Sequence, residues 1–387
     1  MLALGRALVA RGHEVHLETW RRWREPAEAA GLQFAAAPEY HVFPTPESRH
    51  VQPYAAAVRA ARETVATVDR IRPDVAVADI LTPAAALAAE LAGVPVATLV
   101  PHVHPQTAPG FPIYSIGARL PRTRLGAALW RRAGERFVAP ALALGREQYN
   151  ESRRRLGLAP VAWVHTGLSR ECTLVATLPQ LEYPREWPSW ARVVGPLLWE
   201  PPSERVDPPP GDGPVVLVAP STAQDSEHRL LRAALAGLAG EPVRVIAAWD
   251  GRALDPPVQV PANAVLVPWL SYAKTMPACD AVVCHGGHGT LARALTSGCP
   301  VVVCPAGGDM AENAARVDWA GVGVRLPRRF ATPRGVRAAV GRVLREEPLR
   351  ARAAEVARWA AEHEGGERAA RELEHWARVR AHAARPA

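Results

Sequence analysis

Residues 280–303 read DAVVCHGGHGTLARALTSGCPVVV. The run Ala281–Cys284 is short, apolar and β-branched, which predicts a buried strand. The stretch Thr290–Ser297 has helical spacing, and Pro300–Cys304 predicts a second buried strand. Between strand and helix lie His285-Gly286-Gly287-His288-Gly289-Thr290. Glycines let the backbone turn sharply and come close to a ligand, while a helix start offers unpaired N–H groups and the positive end of a dipole. A threonine at the helix start and a histidine at the strand end add donors. A bare strand-to-helix turn needs one glycine pair, whereas three glycines interleaved with two histidines fit a seat for a diphosphate.

The same rhythm extends outward from this unit. Toward the N-terminus of the second half, strands are predicted at Val215–Ala219, Val243–Trp249 and Val265–Val267, with a helix at His228–Leu238. The stretch Trp199–Pro214 (WEPPSERVDPPPGDGP) carries six prolines and no period of 2 or 3.6, so it reads as an extended linker. Before it, helices are expected at Leu2–Arg11, Tyr54–Ile71 and Pro83–Ala92, and strands at His13–Thr19, Asp74–Ala78 and Pro95–Val100. Alternating strands and helices in both halves predict an α/β protein of two Rossmann-like domains, with parallel sheets facing across a cleft. The divisions expected are 1–198, a linker at 199–214, 215–366, and a terminal helix in 367–387.

Composition agrees with this and narrows the function. A chain of 387 residues suits two domains, and 48% hydrophobic with 22% charged residues excludes wholesale disorder. The longest apolar stretch, Val75–Pro101, is interrupted by Asp79 and Glu90, so no membrane span is expected. No signal peptide is visible at the N-terminus, and the five cysteines form no C-x-x-C pair. Both features point to a reducing, cytoplasmic setting. The net charge of +8 is built almost wholly from arginine, since Lys274 is the only lysine, and the arginines are scattered along helices. Nucleic-acid binding is therefore not expected.

The segment HGGHGTLARALTSGCPVVVCPAGGDMAENAARV (285–317) resembles the donor-binding signature of family 1 glycosyltransferases, the Leloir enzymes of the GT-B fold. VLVPWLSYAKTMPACDAVV (265–283) resembles their base-contacting segment, VVGPLLWEPP (193–202) their approach to the linker, and ALGRALVARGHEVHLET (3–19) their first helix and second strand. The resemblance implies a nucleotide-sugar donor as cosubstrate, with no further cofactor. By position it gives His285 a contact to the diphosphate, with Gly287, Gly289 and Thr290 as further donors. Trp269 would stack on the base and Leu270 contact its edge; Ser221 and Thr222 would touch phosphate; Asp309, with Met310 beside it, would face the sugar hydroxyls. The plainer alternatives are a core tryptophan, two helix-capping hydroxyls, a turn aspartate and a core histidine.

Three departures from the family pattern matter. Met310 stands where the family usually has Gln, and Arg293 stands where many UDP-using members have a ribose-binding Glu. Arginine accepts no hydrogen bond, so both changes suit a dTDP-linked deoxysugar better than a UDP-hexose. The third concerns the base. The family's catalytic histidine lies in a loop before the first helix, and this sequence starts within that helix. Strand one and the base are thus expected to lie outside it, leaving a groove in the first sheet and poor folding and turnover for the chain as it stands. Asp79 matches the residue that orients the base, and equally fits a helix cap before Pro83. His102 and His104, after the strand ending at Val100, are candidate substitutes.

The segment Pro105–Leu129 resembles the variable acceptor region, which implies a hydrophobic small-molecule acceptor. No D-x-D pair is present to hold a metal against a diphosphate, so an inverting, metal-independent glycosyltransferase is expected. Two alternatives stay open: a non-catalytic, nucleotide-binding partner of a transferase, and a nucleotide-sugar 2-epimerase on the same fold. A homodimer is compatible with all of them.

Overall fold

The computed structural model describes residues 1–38, 55–106, 108–163, 168–221, 225, 227–251 and 253–383. In the N-terminal half the chain runs α1 (Leu2–Ala10), β1 (His16–Thr19), α2 (Arg24–Ala29), β2 (Gln33–Ala36), α3 (Ala55–Ile71), β3 (Ala76–Asp79), α4 (Pro83–Leu91) and β4 (Val96–Val100). It continues through α5 (Arg124–Ala133), α6 (Ala139–Arg155), β5 (Thr173–Val175) and β6 (Ala191–Val193). The C-terminal half holds β7 (Val215–Ala219), α7 (Arg229–Leu238), β8 (Arg244–Ala248), β9 (Ala264–Val267), α8 (Tyr272–Thr275), β10 (Ala281–Cys284) and α9 (His288–Thr296). Then come β11 (Val301–Val303), α10 (Asp309–Ala320), β12 (Gly323–Arg325), α11 (Pro333–Arg345), α12 (Glu347–Glu362) and α13 (Gly365–Ala383).

The C-terminal sheet is wholly parallel, in the order β12-β11-β10-β7-β8-β9. Every residue of β7, β10 and β11 is buried, as expected for strands covered by helices on both faces. One face packs Leu217, Ile246, Val282 and Val303 against α9 and α12; the other packs Val216, Val245 and Val302 against α7 and α11. Truncating a side chain as enclosed as Leu217 typically costs about 2–5 kcal/mol.

The N-terminal half departs from a single expected sheet. Its strands form a four-stranded parallel sheet, β3-β4-β5-β6, and a separate parallel pair, β1-β2. Among the described residues no strand bonds the second edge of either β1 or β3, and no backbone pairing joins the two sheets.

Two features tie the halves together. Helix α13 lies on α1, where Ala369, Ala370 and Leu373 pack with Leu4 and Ala7, and Arg11 bonds Glu374 at 2.7 Å. Deeper in, the fully buried Arg316 of α10 meets Glu182 at 2.9 Å and Glu312 at 2.8 Å, donates to the Leu181 carbonyl at 2.9 Å, and lies over the Tyr183 ring. Buried charge survives only when paired and hydrogen-bonded, and this triad meets both conditions. The proline-rich stretch after Trp199 has no regular structure, yet it is strapped to the C-terminal half: Ala273 N donates to the Glu200 carboxylate and Ser271 N to the Glu204 carbonyl.

Candidate functional site

The sheet order reverses between β7 and β10: the chain leaves β7 toward β8 on one side and leaves β10 toward β11 on the other. Crevices at such a switch point, beyond the carboxyl ends of the strands, are where open α/β sheets bind ligands. His285 follows β10 directly, and its Nδ1 lies 3.3 Å from the carbonyl of Ala219, the last residue of β7. A carbonyl only accepts, so Nδ1 carries the proton and the ring bridges the two strand ends. Burial holds this imidazole below its ordinary pKa, with Asp309 and Asp225 opposing.

The glycines of the loop have two different jobs. A side chain on Gly287 would meet His285 Nε2 at 2.3 Å, so glycine here leaves room for the ring. Gly289, in the first turn of α9, has open space where its Cβ would stand, and it is exposed. The first N–H groups of α9, those of His288, Gly289 and Thr290, have no partner within the helix and lie at the positive end of its dipole. Ser221, just after β7, is buried; Thr222 lies outside the described residues.

Beside this loop a small concavity is lined by Pro220, Ala248, Asp250, Trp269, Leu270 and Tyr272. Trp269 is 53% exposed, so it is not a core residue, and its ring is available to stack on a planar ligand. Leu270 is buried beneath it. The helix start behind this platform is fixed by Ser271, which caps α8 through Lys274 N and bonds Glu200. Arg293, one turn into α9, has its pKa lowered by burial and opposed by the charge of Glu200. Asp250, which sequence reasoning did not single out, sits at the carboxyl end of β8 with φ +64°; the Trp-Asp-Gly sequence after a predicted strand was its available signal.

The opposite wall comes from the N-terminal half. Tyr114 feels the charges of Asp309 and Glu312, and its hydroxyl lies 3.5 Å from His102 Nδ1. His102 Nδ1 is 2.7 Å from the Val103 carbonyl, which leaves the lone pair of the neutral ring on Nε2. Asp79, ending β3, is pushed above the usual carboxylate range by burial; Leu81 N donates to it at 2.9 Å, and the charge of His102 favours its ionised form. His288 is buried, reaches the Ala176 carbonyl at 3.2 Å, and is driven down to about 4 by burial. It also feels the charge of His102. Thus Asp79, Tyr114 and His288 each interact with His102, and Tyr114 links them to Asp309 of the C-terminal half.

Two expected residues are placed elsewhere. His104 is only 1% exposed: its N–H donates to Glu182 at 2.6 Å, and its ring packs edge-on against Trp187. Two residues beyond His102, it is turned into an aromatic pocket formed with Trp187 and Trp190. Met310 is buried at the start of α10, while Asp309 beside it is half-buried. Tyr114 was missed in the sequence because it stands in an irregular stretch with no periodicity to read.

Residues 231–374 match the family model described as erythromycin biosynthesis protein CIII-like, C-terminal domain. The chain is 30% identical to 4'-demethylrebeccamycin synthase of Lentzea aerocolonigenes, with 92% of this chain and 90% of that protein covered. It is 28% identical to O-mycaminosyltylonolide 6-deoxyallosyltransferase of Streptomyces fradiae, covering 100% of this chain and 96% of that one. Among solved structures, the calicheamicin glycosyltransferase CalG4 superposes with a TM-score of 0.73 at 24% identity, covering 97% and 94% of the two chains. The glycosyltransferase VinC, solved in complex with dTDP, gives 0.71 at 19% identity, covering 98% and 96%. A crevice at the β7/β10 switch point, facing a second α/β half, thus goes with overall similarity to such enzymes: the chain belongs to the family 1 glycosyltransferases of the GT-B fold.

Proposed function

We propose that the protein transfers a deoxysugar from a dTDP-linked donor to a hydrophobic natural-product or lipid-like acceptor, with inversion and without a metal ion. Residues 215–366 would hold the donor and residues 1–198 the acceptor. The observation that carries this reading is the switch point, where His285 bridges the ends of β10 and β7, α9 starts at His288, and the exposed Trp269 ring lines a concavity with Pro220, the residue after β7. In this reading the diphosphate lies against the amides of His288, Gly289 and Thr290, with His285, Ser221 and Thr222 around it. The base stacks on Trp269 with Leu270 at its edge, and Asp309 takes a sugar hydroxyl.

The acceptor oxygen attacks the anomeric carbon from the face opposite the diphosphate. His102 Nε2 takes the acceptor proton, with Asp79 stabilising the imidazolium that forms. As the anomeric bond breaks, negative charge grows on the diphosphate, and the helix dipole with its aligned N–H groups stabilises that charge without reorganising. The relatives' activities, a demethylrebeccamycin synthase and a deoxyallosyltransferase, support a natural-product acceptor and a deoxysugar, and the dTDP complex of VinC supports the nucleotide. Arg293 and the buried Met310 support it further, since neither offers a hydrogen-bond acceptor toward a ribose or sugar hydroxyl. The free cysteines, all with thiol pKa values not lowered toward reactivity, support a reducing cytoplasm.

Side-by-side calorimetric titration with dTDP and UDP tests this reading. Preference for dTDP is expected. Preference for UDP would replace the deoxysugar assignment with a common hexose, and binding of neither by folded protein would refute the donor seat.

A further inference from the structure

The helical segment that follows loop 105–121 is built unlike the rest of the surface. Helix α5 passes through a π-helical turn at Gly134–Val138 into α6, and none of the residues from Arg124 to Val138 is buried. Its apolar side chains instead face solvent: Leu125 is 73% exposed, Leu129 58% and Phe137 63%. Thr123 caps the start by accepting from Gly126 N at 3.1 Å. The helix is therefore properly formed, and these exposed apolar side chains stand on it rather than on a frayed end. Residues 122–137 also carry five arginines (Arg122, Arg124, Arg131, Arg132 and Arg136), all exposed, against the single acid Glu135.

We propose that this segment, residues 122–137, is a peripheral docking surface for an anionic lipid bilayer. A helix whose exposed side carries large apolar side chains interleaved with arginines lies in the headgroup region, burying the apolar side chains while the long guanidinium side chains reach up to lipid phosphates. The charge argues against a second copy as occupant. An isologous contact would bring the same five arginines of two chains together in a low-dielectric interface. Among the described residues no helix is long and apolar enough to cross a membrane, so contact through this face is one of resting on the surface. On the glycosyltransferase reading, the bilayer would then lie next to loop 105–121, where an apolar acceptor is expected to enter.

Flotation of the full chain with phosphatidylcholine vesicles, with and without 30 mol% phosphatidylglycerol, tests the proposal. Binding is expected only with phosphatidylglycerol, weakening at least tenfold between low and high salt. The double variants L125S/F137S and R131Q/R132Q should each lower binding at least tenfold while leaving calorimetric nucleotide binding unchanged. A control variant, R334Q/R337Q on α11, removes the same charge elsewhere and should bind vesicles like the parent. The proposal is overturned if the folded chain ignores anionic vesicles, if the control loses binding equally, or if L125S/F137S abolishes a dimer with no vesicle binding in the parent. Because nucleotide binding is read separately, failure of the donor reading shows as lost calorimetric heat with vesicle binding intact.

Discussion

Replacing Gly289 by alanine should move stability and ligand affinity in opposite directions. Gly289 lies in the first turn of α9 with helical backbone, and its Cβ would meet no protein atom within 4 Å. Alanine is favoured over glycine in a helix by about 0.8–1.0 kcal/mol, less in the first turn. Gly289→Ala should therefore stabilise the unliganded protein by about 0.5 kcal/mol, raising Tm by ~1–2 °C for a chain of this size. The methyl group would project into the open space beside the start of α9. If a diphosphate belongs there, it is pushed off one or two N–H donors, each charge-assisted bond being worth about 1.5–3 kcal/mol. Nucleotide affinity should fall at least ~10-fold, since 1.4 kcal/mol is a decade. Calorimetry with dTDP and a thermal melt on the same sample read both effects. An unchanged Kd alongside a raised Tm would refute the placement of the diphosphate at α9 while leaving the fold intact.

Other consequences follow from the same geometry. Trp269→Ala should weaken nucleotide binding by about 1–3 kcal/mol, the usual value for stacking on a base, yet barely shift Tm because the ring is half-exposed; fluorescence or calorimetric titration reads the first and a melt the second. Arg316→Met should destabilise the protein by about 3–5 kcal/mol, because Glu182 and Glu312 would then stand buried without their counter-charge; urea unfolding measures it, and a loss under 1 kcal/mol would mean the triad is not closed in solution. Nucleotide binding should also depend on pH through His285. With Nδ1 committed to the Ala219 carbonyl and the pKa lowered by burial, the free ring near neutrality offers an anion a lone pair at Nε2. Binding a diphosphate there requires the ring to take up a proton, so affinity should fall by up to about tenfold per unit as pH rises above the free ring's pKa. Titration in two buffers of different ionisation enthalpy detects the proton, and His285→Asn should remove the dependence; equal affinity from pH 6 to 8 in the parent would overturn it.

The strand, loop and helix around His285 were largely legible because their determinants are local. The strand Ala281–Cys284, the glycine loop and the start of α9 are contiguous, and hydrophobic run, turn chemistry and helix periodicity each act within a few residues. Even the spatial role of Gly287 follows from a neighbour two residues away, His285. The grouping of Asp79, His102 and Tyr114 was not legible, because these residues meet only across the fold. His102 and His104 have nearly the same sequence neighbourhood, yet one borders Asp79 and Tyr114 while the other is claimed by Glu182 and Trp187, which lie about 80 residues further along the chain. Arg316 looked like any arginine on an amphipathic helix; only the docking of α10 on residues 181–183 makes it a fully buried cation between the halves. The strands β5 and β6 are three residues long, too short for any period, and owe their existence to the neighbours that pair with them. Short-range sterics and periodicity thus encode the alternating α/β plan and the strand, glycine loop and helix of residues 281–296. Tertiary structure decided which side chains share the cleft and that the first half holds two sheets, since pairing and burial across long sequence distances leave no local pattern.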